Sequence, residues 1–164
     1  MASHLKSSTY FKNTWWFLFL LLHLVYTDFA GGLAWEEIMQ RLDRTYIIIG
    51  LCWVIAGMIF GVWLGASNHL NYANSHAHIN LLGFVTSVLF GMLFWAFPTM
   101  AKSRVAIWQF AAYQIGVALL VIGKVIFDTD GSESPLLKIG SVIVILATAA
   151  MLWLFVARAD RKAL

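Results

Sequence analysis

The sequence has little charge and almost no cysteine. Asp, Glu, Lys and Arg make up 12% of the chain, about half the share typical of soluble domains, whereas hydrophobic residues make up 61%. This balance excludes a soluble globular domain, a disordered chain and a coiled coil. The single cysteine, Cys52, excludes an internal disulfide and also the C-x-x-C-H attachment of a covalent haem.

The abundant hydrophobic residues form four windows, each long enough to cross a bilayer, which requires about 20 residues. Short segments with Pro, Gly, Asn and Ser separate them, and such short connections make neighbouring helices antiparallel. We therefore predict an all-α polytopic membrane protein, in which residues 44–160 form an antiparallel bundle of four transmembrane helices. The windows are 46–66, 77–97, 105–127 and 136–157.

The N-terminal segment, 1–43, contains a further apolar stretch at 15–35, which polar residues and a glycine pair interrupt. We expect an additional spanning helix there; the alternative is a segment that lies along the inner membrane interface. A cleaved secretory signal is disfavoured. Cleavage near Ala30 would leave the new N-terminus outside, whereas Arg41 and Arg44 place the start of the next helix inside.

Basic residues are distributed unequally between the two sides of the predicted bundle. The loops 67–75 and 128–135 contain no Lys or Arg, and the second of them is acidic. Because cytoplasmic loops carry the excess of positive charge, we expect an inner (cytoplasmic) membrane protein with its C-terminus in the cytoplasm. Basic residues confined to short loops do not indicate a nucleic-acid partner. The inner set is Arg41, Arg44, Lys102, Arg104, Arg158, Arg161 and Lys162.

Three of the five histidines lie at the outer end of the second window: His69, His76 and His78. Polar groups within a membrane are costly and indicate function by default. On a helix, His76 and His78 project about 200° apart, so they suit two separate pockets. Neutral imidazoles suit haem iron, and we predict His76 and His78 as ligands, with His69 a less favoured candidate. The alternative is that these histidines only cap the helix end.

The two faces of this helix differ below the histidines. The face of His76 carries small residues, among them Asn80 and Gly83, where a flat macrocycle or another backbone can approach. The face of His78 is an apolar wall of larger residues. Its members are Leu82, Val85, Leu89 and Met92.

Other residues in the windows predict contacts between helices. A stripe of glycines at four-residue spacing in the first window favours close helix packing. Polar residues in the third window predict interhelical hydrogen bonds. The stripe is Gly57, Gly61 and Gly65, and the polar residues are Gln109, Tyr113 and Gln114.

Lys124 and Lys138 both lie near the outer end, where positive charge is not favoured. One interpretation is snorkelling, with Lys124 pairing to Asp128 one turn later. The other is that one of these lysines balances an anion such as the haem propionates.

The run Ser-His-Ala-His-Ile-Asn-Leu-Leu-Gly at 75–83, followed by Phe-Gly-Met at 90–92 and Ala-Phe-Pro at 96–98, carries a family likeness. It resembles short cytochrome c oxidase subunit I-like membrane proteins and the second helix of the nitric oxide reductase large subunit. Both belong to the haem–copper oxidase superfamily. On this resemblance, His78 matches the low-spin haem ligand, and the pair His76/His78 is similar to a pair that ligates two different haems.

The resemblance also implies an assembly. The large subunits of the superfamily arrange twelve helices in three four-helix arcs, and this chain is similar to one arc. A homotrimer would rebuild the ring, with each haem between protomers, ligated by His76 of one and His78 of the next. The adjacent His-His pair and the His-Pro-Glu-Val-Tyr run of the copper site have no counterpart in the sequence, so oxidase or reductase activity is not expected.

We therefore expect a membrane-embedded, bis-His haem b protein in electron transfer or redox support, with a redox partner that the sequence does not identify. The first alternative is a haem-based gas sensor or a haem-handling accessory protein. The second is a structural membrane subunit without cofactor.

Overall fold

The structure, a computed structural model, describes residues 41–159. These residues are all-α, with no β-strand among them, and contain four helical spans long and apolar enough to cross a membrane. The predicted fold class is confirmed, and the predicted additional helix at 15–35 lies outside the described residues. The spans are Leu42–Ser67, Leu70–Ala96, Arg104–Asp130 and Pro135–Arg158.

Three spans are uninterrupted α-helices whose ends follow local sequence. The first, α1 (Leu42–Ser67), ends at Asn68, which adopts the left-handed conformation with φ 56°. The third begins after Ser103, whose hydroxyl accepts a hydrogen bond from Val105 N, and ends at Gly131 with φ 72°. The fourth begins with a proline, which suits the first turn of a helix.

The second span is not a uniform helix. It begins at Leu70, seven residues before the predicted window, with a 3₁₀ turn at Leu70–Tyr72. The helix α2 (Ala73–His78) follows, then a π-helix at Ile79–Thr86, which we call the π segment, and then α3 (Ser87–Ala96). The remaining spans are α4 (Arg104–Asp130) and α5 (Pro135–Arg158).

Small residues let α4 and α5 approach each other closely. A Cβ on Gly140 would lie 2.4 Å from Leu120 N, and one on Gly123 would lie 2.2 Å from Leu137 N. Only glycine fits at such backbone contacts, which are the usual means of packing helices in a membrane.

Buried polar groups join the spans through the core. Tyr46 of α1 donates a hydrogen bond to Gln109 Oε1 at 2.7 Å, and Gln109 Nε2 donates to Ala147 O at 3.3 Å. Gln114 accepts from Trp53 Nε1 at 3.3 Å and donates to Ser87 Oγ at 3.1 Å. The predicted interhelical hydrogen bonds of these glutamines are confirmed.

The two ends of the bundle carry different side chains. At one end, the basic end, lie Arg41, Arg44, Lys102, Arg104 and Arg158. At the other, the histidine end, α1 and α4 finish while the second span and α5 begin, and the acidic residues of 128–133 lie there. Between the ends, large apolar side chains such as Val62, Trp108 and Val156 are exposed on the outside, as expected for a surface that contacts lipid.

Candidate functional site

The candidate site lies at the histidine end, on α2. His76 and His78 both belong to this short α-helix, so the angle of about 200° predicted between them applies. Their surroundings differ accordingly. His76 is turned toward α1, whereas the ring of His78 bonds back to its own helix.

His76 fits a notch in α1 that two glycines create. A Cβ on Gly61 would lie 2.8 Å from His76 Cε1, and a Cβ on Gly57 would lie 2.5 Å from Asn80 Oδ1. Asn80 Nδ2 lies 3.1 Å from His76 Nε2 and also donates to His76 O at 3.0 Å. The notch therefore holds two polar side chains of the second span, and the Asn80 amide donates a hydrogen bond to a ring nitrogen of His76.

His78 has a defined tautomer. Its Nδ1 lies 2.8 Å from Asn74 O. Because a carbonyl can only accept, Nδ1 is the donor in this hydrogen bond, and in the neutral ring Nε2 then carries the lone pair. Histidines that bind metals are commonly oriented by this kind of bond from the other ring nitrogen to a backbone carbonyl.

The predicted groove of small residues below His76 is occupied by α1. Gly83 lies under the indole of Trp53, since a Cβ there would stand 2.7 Å from the ring. The sequence predicts that either a flat macrocycle or another backbone approaches these small residues. In the structure, α1 packs against them. In the predicted stripe on α1, Gly57 and Gly61 make close contacts, whereas Gly65 has no atom within 4 Å of its added Cβ.

The apolar wall predicted below His78 is largely uncovered within the described chain. Val85, Leu89 and Met92 are exposed, while Leu82 packs against the core. This wall is the part of the site available to lipid or to a second molecule.

The two lysines of the candidate site are both paired, but in different surroundings. Lys124 forms an ion pair with Asp128, and their side chains are only 10% and 8% exposed. The predicted partner of Lys124 is confirmed. Lys138 pairs with Glu133, where the side chains are 67% and 75% exposed, and this contact lowers the pKa of Glu133.

His69 lies in an aromatic cluster that reaches His76. Its ring stacks on Trp63 with centroids 5.1 Å apart, and its Nδ1 is buried without a hydrogen-bond partner. Trp63 stacks on Phe60, whose ring centroid lies 6.4 Å from that of His76. Among the described residues, no group of three or more His, Cys, Asp or Glu side chains is placed to hold a metal ion. A haem iron needs only one or two axial ligands from the protein.

The π segment directly after His78 is the feature that hydropathy and motif reading did not predict. π-helices are rare and occur frequently at functional sites. Side chains satisfy carbonyls along this segment: Tyr113 donates to Leu82 O at 2.9 Å and Thr86 to Leu81 O at 2.8 Å. Polar Asn80 and Thr86 within an apolar helix are the signal that could have indicated it.

Comparison with known protein families, with curated proteins and with solved structures finds no match to this chain.

Proposed function

We propose that this chain is a membrane-embedded haem b protein that serves in electron transfer or redox support. The observation that carries the proposal is His78: a bond from Nδ1 to Asn74 O at 2.8 Å orients the ring and leaves Nε2 as an available ligand. Further along the same span, the exposed apolar side chains Val85, Leu89 and Met92 offer the kind of environment that a porphyrin needs.

In the proposed site, His78 and His76 are the iron ligands. Haem, when bound, supplies one-electron redox chemistry, and the chain supplies ligation and an apolar environment. Asn74 orients His78, and Asn80 Nδ2 lies 3.1 Å from His76 Nε2. Lys138 is the freer of the two lysines to balance a propionate, since its pair with Glu133 is exposed and weak.

In a homotrimer, both histidines would act as iron ligands. Because His76 points to α1 and His78 points elsewhere, one protomer does not direct both rings at one iron. We propose that each haem lies between protomers, with His76 from one and His78 from the next. Val85, Leu89 and Met92 on the second span are exposed and are available to such an interface.

One observation favours the second candidate, a gas sensor or haem-handling protein. In this structure His76 is packed against Gly61 and bonded to Asn80, so His78 alone is free to bind iron. A haem held by one histidine has an open coordination position, as a gas sensor requires.

We propose an inner-membrane location with the basic end in the cytoplasm and the histidine end outside. All described Arg residues and Lys102 lie at the basic end, whereas the histidine end has only Lys124 and Lys138, both paired with acidic residues, and this imbalance supports the orientation under the positive-inside rule. Labelling of a cysteine introduced at Asn71 or at Thr99, in a chain whose Cys52 is replaced by serine, tests it in intact cells. If a membrane-impermeant reagent reacts with the cysteine at position 99 but not with that at position 71, the proposed orientation is wrong.

The function is tested by the haem-to-protein ratio and the absorption spectrum of detergent-purified protein. We expect bound haem with the sharp split bands of bis-His ligation in the reduced state. His78→Ala and His76→Ala should each lose most of the haem, and His69→Ala serves as the control that retains it. Colourless protein from haem-sufficient cells, or full haem in both variants, would reject the site.

Two further measurements separate the candidates. A six-coordinate electron carrier binds carbon monoxide poorly, whereas a haem with an open position binds it readily. Native mass spectrometry gives the oligomeric state, and a monomer with full haem content would reject the trimer.

A further inference from the structure

At the histidine end, side chains of the second span donate hydrogen bonds to the last turn of α4. Asn71 Nδ2 donates to Asp128 O at 2.9 Å, and Tyr72 OH donates to Thr129 Oγ1 at 3.1 Å. Ser75, next to His76 in the chain, donates to Asp128 Oδ2 at 2.6 Å. The contacts of Asn71 and Tyr72 flank α2 on its N-terminal side, and only that of Ser75 lies within α2.

The acceptor of the Ser75 bond is a buried carboxylate whose position is itself fixed. Asp128 Oδ1 pairs with Lys124, which lies one turn earlier on α4 and 5.0 Å from the centroid of the Phe127 ring. Ser75 has no exposed surface. A hydrogen bond to a charged acceptor in such a place is stronger and more directional than one between neutral groups.

The rotation of α2 is not set by α3 alone, because the π segment lies between the two helices. The π segment separates α2 from α3, so the regular α-helical bonding that would fix the rotation of α2 is interrupted. Loss of one extra residue from the π segment, by a return to regular α-helical bonding, would turn α2 relative to α3 by about 100°, the angle per residue of an α-helix. Such a turn would move His76 out of the Gly61 notch and change the direction of His78.

We propose that Asp128 is a positioning residue for the histidines: its carboxylate, held by Lys124, fixes the rotation of α2 through Ser75. The part of this inference that concerns haem ligation rests on the proposed function. The part that concerns the rotation of α2 does not, and each has its own readout.

The separate contacts around residue 128 allow its carboxylate to be tested by itself. Asn71 bonds to the backbone of residue 128 and Tyr72 bonds to Thr129, so neither depends on the Asp128 side chain. Ser75→Ala removes the bond and leaves the ion pair intact. The double variant Lys124→Met/Asp128→Leu removes the carboxylate without leaving a buried unpaired charge.

The first experiment measures hydrogen exchange by mass spectrometry on the full chain without haem, in detergent. Ser75→Ala and the double variant should each increase backbone exchange across residues 73–86 by about tenfold, as expected for loss of a hydrogen bond to a charged group. Ser75→Thr, which keeps the hydroxyl, should restore protection. Ser141→Ala is the matched control, because its hydroxyl bonds only to Leu137 O of its own helix. Exchange in Ser75→Ala equal to that of the native chain would overturn the proposal.

The second experiment uses protein loaded with haem and records the low-spin electron paramagnetic resonance signal, which depends on the orientation of the axial ligands. We expect Ser75→Ala to shift this signal while the thermal unfolding temperature stays close to that of the native chain. An unchanged signal alongside faster exchange would overturn the role of Asp128 in positioning the ligands. If the native chain binds no haem, the proposed function fails, and the exchange experiment alone still decides the rotation of α2.

Discussion

The ring of His76 lies against Gly61 on the neighbouring helix, so closely that a Cβ at Gly61 would stand 2.8 Å from His76 Cε1. The same relationship recurs one turn away, where Asn80 lies over Gly57. Two glycines of α1 thus provide the space for two polar side chains of the second span. The glycine stripe of α1, which favours close helix packing, therefore also accommodates the candidate ligand His76.

Gly61→Ala should push the His76 ring out of its notch. The added methyl overlaps the ring, and overpacking of this kind costs about 1–3 kcal/mol, with the lower figure expected because the ring can move. Thermal unfolding in detergent measures the cost, and haem titration measures whether His76 becomes more available.

Gly65→Ala is the matched control on the same helix, since its added Cβ meets no atom within 4 Å. It should leave stability unchanged or raise it by about 0.5–1 kcal/mol, because alanine favours the helix. Equal destabilisation by both substitutions would contradict the proposed contact.

Tyr113→Phe should destabilise the π segment. The Tyr113 hydroxyl donates to Leu82 O at 2.9 Å, and hydrogen bonds between membrane helices are worth about 0.6 kcal/mol on average and up to about 1.7 kcal/mol. We expect a loss of about 1 kcal/mol in stability, together with faster hydrogen exchange in residues 79–86.

Thr148→Val provides the comparison, because the Thr148 hydroxyl bonds to Val144 O within its own helix. Thr148→Val should lower the free energy of unfolding by less than Tyr113→Phe does. If exchange at 79–86 is unaffected in Tyr113→Phe, the tyrosine does not stabilise the π segment.

Lys124→Met should be strongly destabilising. It leaves Asp128, 8% exposed, as a buried carboxylate without its cation, and breaking a buried pair costs about 3–5 kcal/mol. Chemical or thermal unfolding of the purified protein measures the loss. Adding Asp128→Leu should recover most of it, since the unpaired charge is then removed.

Lys138→Met is the exposed counterpart and should leave the unfolding temperature unchanged, because exposed ion pairs contribute little. A similar loss in Lys124→Met and Lys138→Met would show that burial does not distinguish the two pairs.

Lys138→Met should instead raise the pKa of Glu133. The Lys138 ammonium donates a hydrogen bond to the Glu133 carboxylate and attracts its charge, which lowers the pKa of Glu133 from its ordinary value of 4.5. A lowered pKa in the folded state adds stability above the unfolded pKa, and this contribution disappears as the pH falls through the lowered value. Carbon-13 NMR titration of the Glu133 carboxyl should show a return toward 4.5 in the variant, and an unaltered titration would refute the contact.

Hydropathy predicts the four spans well because membrane insertion depends on the summed transfer energy of about 20 side chains, which is a local property. The third and fourth spans begin one residue before their predicted windows. The second begins seven residues early, at Leu70, because Asn71 and Ser75 are held by partners on α4 that a hydropathy window does not include.

The candidate site was predictable in part. The divergence of His76 and His78 follows from helical geometry alone, and the pair Lys124–Asp128 follows from a spacing of four residues. The bond between Ser75 and Asp128 spans 53 residues, and the glycine notch joins two different helices. Neither has a local signature.

Composition and periodicity were therefore enough to establish an all-α membrane protein and to direct attention to the histidine end. Which histidine is enclosed and where the π segment interrupts the second span were decided by tertiary contacts. The physical reason is that hydrophobic burial depends on the residues of each span by itself, whereas the direction of a polar side chain depends on partners that only folding brings near.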